Sequence, residues 1–140
     1  MNSEHTQSLK ILIVDDDSYL SDMYSFKFQE LGFETKVVQS AEAALSLIEA
    51  GVETFDVLLL DLVMPGTDGF EFLATVREKD LLKESTIIAL TNQSREQDIE
   101  KAESLGARGY IVKASSIPSE VVTAVVEIHN SDDEKIIVKH

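Results

Sequence analysis

Four short apolar runs in this chain each end on a side chain that could do chemistry. Asp15, Asp16 and Asp17 follow residues 9–14, and Asp61 follows residues 57–60. Thr91 follows residues 86–90, and Lys113 follows residues 109–112. A carboxylate at the carboxyl end of a buried strand stands where open α/β sheets carry their chemistry. Brought to one rim, these residues supply carboxylates, a hydroxyl and an ammonium, a set that suits a phosphoryl group. Clustered carboxylates repel one another and favour a cation between them. Hard oxygen ligands select Mg²⁺, with Mn²⁺ as a substitute, and Mg²⁺ uses one or two carboxylates and keeps several waters. The metal also neutralises charge on a phosphoryl donor. Asp61 can then attack phosphorus, while Lys113 pairs first with Asp61 and later with a phosphoryl oxygen. Thr91 can donate to another phosphoryl oxygen. Taken singly, each residue also has a plain structural reading: Asp61 and residues 15–17 as caps, Thr91 as a strand residue, Lys113 as a solvated lysine.

The elements needed to bring them together are legible from periodicity. Residues 9–14, 34–38, 57–60, 86–90 and 109–112 read as strands, the third as a continuous apolar run buried on both faces. Between them lie helical patterns. Over 19–31, Leu20, Tyr24, Phe28 and Leu31 share a face, and Gly32 supplies the residue past the end. Ser40 is an N-cap for a second helix that buries Ala41, Ala44, Leu45 and Ile48 and stops at Gly51. Residues 70–79 turn Phe72, Leu73 and Val76 inward. Ser94 is the candidate cap of a fourth helix ending near Leu105, and Pro118 suits the first turn of a fifth, to about His129. Strand and helix alternate five times through connections too long for hairpins. That predicts an α/β fold, a (βα)5 doubly wound parallel sheet of flavodoxin-like order 2-1-3-4-5. In that order strands 1 and 3 are neighbours, so Asp15 and Asp16 stand beside Asp61, and strands 4 and 5 bring Thr91 and Lys113 to the same rim.

Bulk properties narrow the function classes. The chain has 140 residues, enough for one domain with a real core. We divide it into a polar N-terminal extension (1–8), the domain (9–130) and a tail (131–140). A formal net charge of −14 argues against direct nucleic-acid binding. No apolar run approaches the length of a membrane span, and the polar start carries no secretory h-region. There is no cysteine, hence no disulfide or thiol chemistry. The expected location is the cytoplasm. Glycine-rich nucleotide loops are missing after the first strand.

Four motifs together resemble the receiver domain of two-component response regulators. They are Ile13-Val14-Asp15-Asp16-Asp17, Leu60-Asp61-Leu62-Val63-Met64-Pro65-Gly66-Thr67-Asp68-Gly69, Ala89-Leu90-Thr91, and Gly106-Ala107-Arg108-Gly109-Tyr110-Ile111-Val112-Lys113. The likeness runs from about Lys10 to His129 and is closest to stand-alone chemotaxis regulators. It implies that Asp61 accepts a phosphoryl group from a histidine kinase or a histidine phosphotransfer protein. It also implies that Asp16 and Asp61 hold Mg²⁺ directly, with the Val63 backbone carbonyl as a third ligand and Asp15 acting mostly through water. Thr91 and Tyr110 match the family's switch pair, which couples the site to the surface of the fourth helix, fifth strand and fifth helix. Such a domain is a signalling phosphoacceptor that catalyses only its own phosphotransfer and dephosphorylation. Two positions depart from the pattern. Ala114 stands where the family usually has a cis proline, and a non-proline cis bond costs about 2.5–4 kcal/mol; either a trans peptide with a shifted loop or a strained cis one is expected. Asn92 replaces a small residue, where it either screens the phosphoryl group from water or positions that water.

The chain reads as a receiver standing alone or cut from a larger protein, with protein binding as its output. On the last helix, Val121, Ala124, Val125 and Ile128 form a stripe, and Val122 and Val126 lie off it. Either residues 136–138 fold back over that surface or a second receiver covers it, as a homodimer through the fourth helix, fifth strand and fifth helix. Tyr19 and Phe26 are candidates for a kinase-docking surface. Asp17 reads as a cap. Two rivals are a receiver-like binding module that works without phosphorylation and a haloacid-dehalogenase-like phosphatase with Asp15 as nucleophile and Asp17 as acid. The second lacks the small residue expected where Tyr19 stands.

Overall fold

The computed structural model describes residues 8–93, 95–113 and 116–140, and Thr67 by its backbone. The extension therefore lies, apart from Ser8, outside the described residues, as do Ser94 and Ala114. Six parallel strands form the main sheet: β1 (Lys10–Val14), β2 (Glu34–Val38), β3 (Val57–Asp61), β4 (Thr86–Thr91), β5 (Gly109–Val112) and β6 (Ile137–Lys139). Their order is 2-1-3-4-5-6. The five predicted strands take the predicted order, and the tail adds a sixth beyond β5.

Five helices complete the alternation: α1 (Ser18–Glu30), α2 (Ala41–Ala50), α3 (Gly69–Glu78), α4 (Glu96–Ser104) and α5 (Pro118–Asn130). Their ends follow from local chemistry. The Asp17 carboxylate accepts from the Leu20 amide at 3.0 Å and caps α1. Ser40 accepts from the Ala43 amide at 3.1 Å and caps α2, which closes on Gly51 in the left-handed region (φ 67°). Asp68 accepts from the Phe70 amide at 2.8 Å and caps α3. Pro118 opens α5, and the Glu120 carboxylate reaches back to the Ile117 amide at 3.1 Å. The residue before α4 is Arg95, which makes no side-chain cap.

Alternate residues of the strands feed two cores, one on each side of the sheet. On one side Leu12, Leu58, Leu60, Ala89 and Tyr110 meet α2, α3 and α4. On the other Ile11, Ile13, Leu59, Leu90 and Ile111 meet α1 and α5. β3 is buried along its whole length, as its unbroken apolar run requires. Leu31 is a correction. It was expected on the inner face of the first helix, but the helix stops at Glu30 and Leu31 is half exposed. The turn at Gly32 (φ 87°) swings the chain toward β2 before another helical turn can bury it. The off-stripe Val122 is buried with α1 in the second core. The tail does return, but to the edge of the sheet: Ile136 and Val138 join the first core and Ile137 the second.

Candidate functional site

Parallel pairing places the candidate residues. β1 and β3 are neighbours through Val14 and Leu60, so the next residue on each strand, Asp15 and Asp61, emerges at one rim. β3 and β4 pair Asp61 with Leu90, which sets Thr91 one position further along the same rim. β4 and β5 pair Thr91 with Val112, and Lys113 follows.

The side chains converge. Lys113 Nζ lies 3.1 Å from Asp15 Oδ2 and 3.4 Å from Asp61 Oδ2. Asp15 is fully buried and Asp61 is 5% exposed, whereas Asp16 is exposed. Oxygens of Asp15, Asp16 and Asp61 lie within 4.8 Å of one another. Asp61 Oδ1 accepts from the Val63 amide at 3.0 Å, and Asp15 Oδ1 accepts from the Asp17 amide at 2.9 Å. Thr91 is buried, and its hydroxyl oxygen accepts from the Gln93 amide at 3.3 Å. Tyr110 is fully buried and donates its hydroxyl proton to the Gln93 carbonyl at 2.7 Å. Asn92 is exposed in the loop after β4. The Lys113–Ala114 peptide lies outside the described residues.

These contacts have electrostatic consequences. Burial raises Asp61 from its ordinary 3.8 to about 6, against the Val63 amide and Lys113, which lower it; Asp15 adds to the rise. Lys113 is opposed by its own burial, but Asp15 and then Asp61 more than compensate and raise it. One ammonium thus faces two buried carboxylates, a deficit of positive charge. Asp15 Oδ2 is buried, and its one cationic neighbour among the described residues is the Lys113 ammonium at 3.1 Å, which it shares with Asp61. Three carboxylates within 4.8 Å of one another, with a single ammonium shared between two of them, fit a hard divalent cation. An all-oxygen donor set of this kind suits Mg²⁺ or Mn²⁺ better than a thiophilic metal.

Residues 11–126 match the response regulator receiver domain family. The chain belongs to that family. As a receiver, it is 37% identical over 123 residues to the transcriptional regulatory protein ResD of Bacillus subtilis, covering 87% of this chain and 48% of that protein. It is 34% identical over 106 residues to the chemotaxis protein CheY of Pseudomonas aeruginosa, covering 75% of this chain and 84% of CheY. The receiver therefore spans about half of the one relative and most of the other. Among solved structures, chemotaxis response regulator CheY4 of Vibrio cholerae superimposes with a TM-score of 0.77 at 29% identity, covering 87% of this chain and 99% of that one.

Two features of the receiver's site were missed in the sequence. The sequence pairs Lys113 with Asp61, yet Asp15 is the nearer carboxylate. That pairing depends on side-chain reach across β3, which strand order does not specify. The periodicity puts Tyr24 on the inner face of the first helix. Burial first, then Asp15, Asp17 and Asp61, raise its phenol above its ordinary value, so its hydroxyl lies in the field of the acidic cluster. A single hydroxyl on an apolar helical stripe was the only signal.

Proposed function

We propose that the receiver accepts a phosphoryl group on Asp61 from a histidine kinase or a histidine phosphotransfer protein. The observation that carries this reading is the Asp61 carboxylate, buried at the rim and sharing the Lys113 ammonium with Asp15. An Asp61 oxygen attacks phosphorus as the phosphorus–nitrogen bond of a phosphohistidine breaks. The imidazole leaves with the bonding pair and takes up a proton, and an aspartyl phosphate remains. The phosphoryl group adds charge to a rim already short of positive charge, and Lys113 is placed to transfer its ion pair from Asp61 to a phosphoryl oxygen. The Val63 amide holds the other Asp61 oxygen and fixes the plane of the carboxylate. Asp16, Asp61 and the Val63 carbonyl would hold Mg²⁺, with Asp15 through water. When bound, the ion supplies charge neutralisation on the phosphoryl oxygens.

Thr91 turns its hydroxyl toward the phosphoryl group, and Tyr110 occupies the space beneath the loop after β4. This links the charge at Asp61 to α4, β5 and α5, the surface for a downstream protein. The reading makes the domain a phosphoacceptor in the cytoplasm rather than an enzyme with turnover. The phosphatase rival loses ground, because Asp15 is fully buried and Asp17 is committed to capping α1. The test is incubation with a small phosphodonor and Mg²⁺, followed by intact-mass measurement. Wild type gains one phosphate and Asp61→Asn gains none. An unmodified wild type with every donor and Mg²⁺ concentration would favour the phosphorylation-independent module.

A further inference from the structure

The sixth strand sits on the face that a receiver is proposed to show its partners. Ile137 donates its amide to the Arg108 carbonyl at 3.0 Å, which joins β6 to β5. The Ile136 amide reaches Glu103 Oε2 of α4 at 2.9 Å. Lys139 Nζ lies 3.2 Å from Glu127 Oε1 of α5. Arg108 Nη2 donates to the carbonyls of Ser131 at 2.8 Å and Asp133 at 3.3 Å, which holds the approach to the strand. One short segment is therefore tied to α4, β5 and α5 at once.

Its register bears on Tyr110. Val138 pairs with Tyr110, and both side chains, like that of Ile136, belong to the core on the α4 side of the sheet. On its inner flank Tyr110 is anchored by the Gln93 carbonyl. On its outer flank, where the edge of β5 would otherwise be open, stands Val138 of β6. We propose that residues 136–139 are an intramolecular latch that occupies the α4–β5–α5 face and holds Tyr110 in its buried rotamer. Docking of the latch and burial of the ring share contacts, so each stabilises the other by the same amount. This inference rests on the proposed switch role of Tyr110 for its signalling consequence. In that setting a phosphoryl group on Asp61 and a docked latch favour the same Tyr110 rotamer, and a partner reaches the edge of β5 only where the latch has left it.

The test uses the full chain labelled with 3-fluorotyrosine. Its three tyrosines give separable fluorine resonances, and Tyr110→Phe identifies the relevant one. Three variants loosen the latch: deletion of residues 132–140, Val138→Asp and Glu103→Ala. The Tyr110 resonance is expected to move toward that of the free amino acid in the first two and part of the way in the third. Exchange of the β5 backbone amides is expected to quicken about tenfold or more as the edge opens. If the deletion does not fold, the two point variants carry the test. A Tyr110 resonance identical to wild type in folded Val138→Asp and Glu103→Ala proteins overturns the latch. Phosphodonor with Mg²⁺ separates the two readings. If it adds mass to Asp61 while loosening the latch leaves Tyr110 unmoved, phosphorylation stands and the latch falls. If loosening the latch moves Tyr110 but no donor adds mass, the latch stands and the phosphoacceptor reading falls.

Discussion

Replacing Asp61 by asparagine should make the metal-free protein more stable, not less. Asp61 is 5% exposed and shares one ammonium with the fully buried Asp15. Burial carries its acid constant from 3.8 to about 6, which corresponds to about 3 kcal/mol opposing ionisation in the fold. That is an upper figure, because Asp15 and Lys113 rearrange around whichever group replaces it. The sign follows from the raised value. Protonated Asp61 contributes stability that is fully present below pH 3.8 and lost as pH rises through about 6. At pH 7.5 in chelator, Asp61→Asn keeps the shape without the charge. It should gain about 1–3 kcal/mol, or roughly 3–10 °C in Tm for a chain of this length. Lowering the pH from 7.5 to 4 should close the gap, because wild type becomes neutral there as well. Millimolar Mg²⁺ should narrow it at pH 7.5 by stabilising the ionised site. Urea and thermal unfolding with and without chelator read all three effects. An Asp61→Asn protein less stable than wild type in chelator at pH 7.5, or a gap that ignores pH, refutes the electrostatic account.

Other changes discriminate further. Lys113→Met leaves two buried carboxylates facing each other and should cost about 3 kcal/mol or more at neutral pH in chelator; calorimetry should show a smaller loss at acid pH, and titration should show tighter Mg²⁺ binding once the competing cation is gone. Asp17→Ala removes the α1 cap seen at Leu20 and should cost about 1 kcal/mol with Mg²⁺ affinity nearly unchanged. Asp16→Ala should do the reverse, weakening Mg²⁺ binding while urea unfolding shifts by less than about 0.5 kcal/mol. Gly69→Ala places a Cβ 2.7 Å from the Leu62 Cα, a backbone contact that cannot give way cheaply; a loss of about 1–3 kcal/mol on urea unfolding is expected.

Much of this architecture was readable because period and position agreed. The apolar run of β3, the caps Asp17 and Ser40, and Gly51 each reported a local rule, and strand order followed from the alternation of elements. Asp15, Asp61, Thr91 and Lys113 share a rim because each directly follows its strand's last fully apolar stretch. What could not be read depended on distances through space. The preference of Lys113 for Asp15, the place of Tyr24 in the acidic field and the solvent exposure of Leu31 arise from packing between segments far apart in sequence. The tail was ambiguous for a related reason. Ile136-Ile137-Val138 is too short to show a period, and only the open edge of β5 turns it into a strand.

The direction of β6 has a practical consequence for handling the protein. It runs parallel to β5, so the chain leaves the sheet at the end where Asp61 and Lys113 stand. β1 begins at the opposite end. An affinity tag or fluorescent reporter joined after His140 would therefore emerge at the same end of the sheet as the acidic site, at the outer edge three strands from β3. The same group placed before Leu9 would lie a full strand length away.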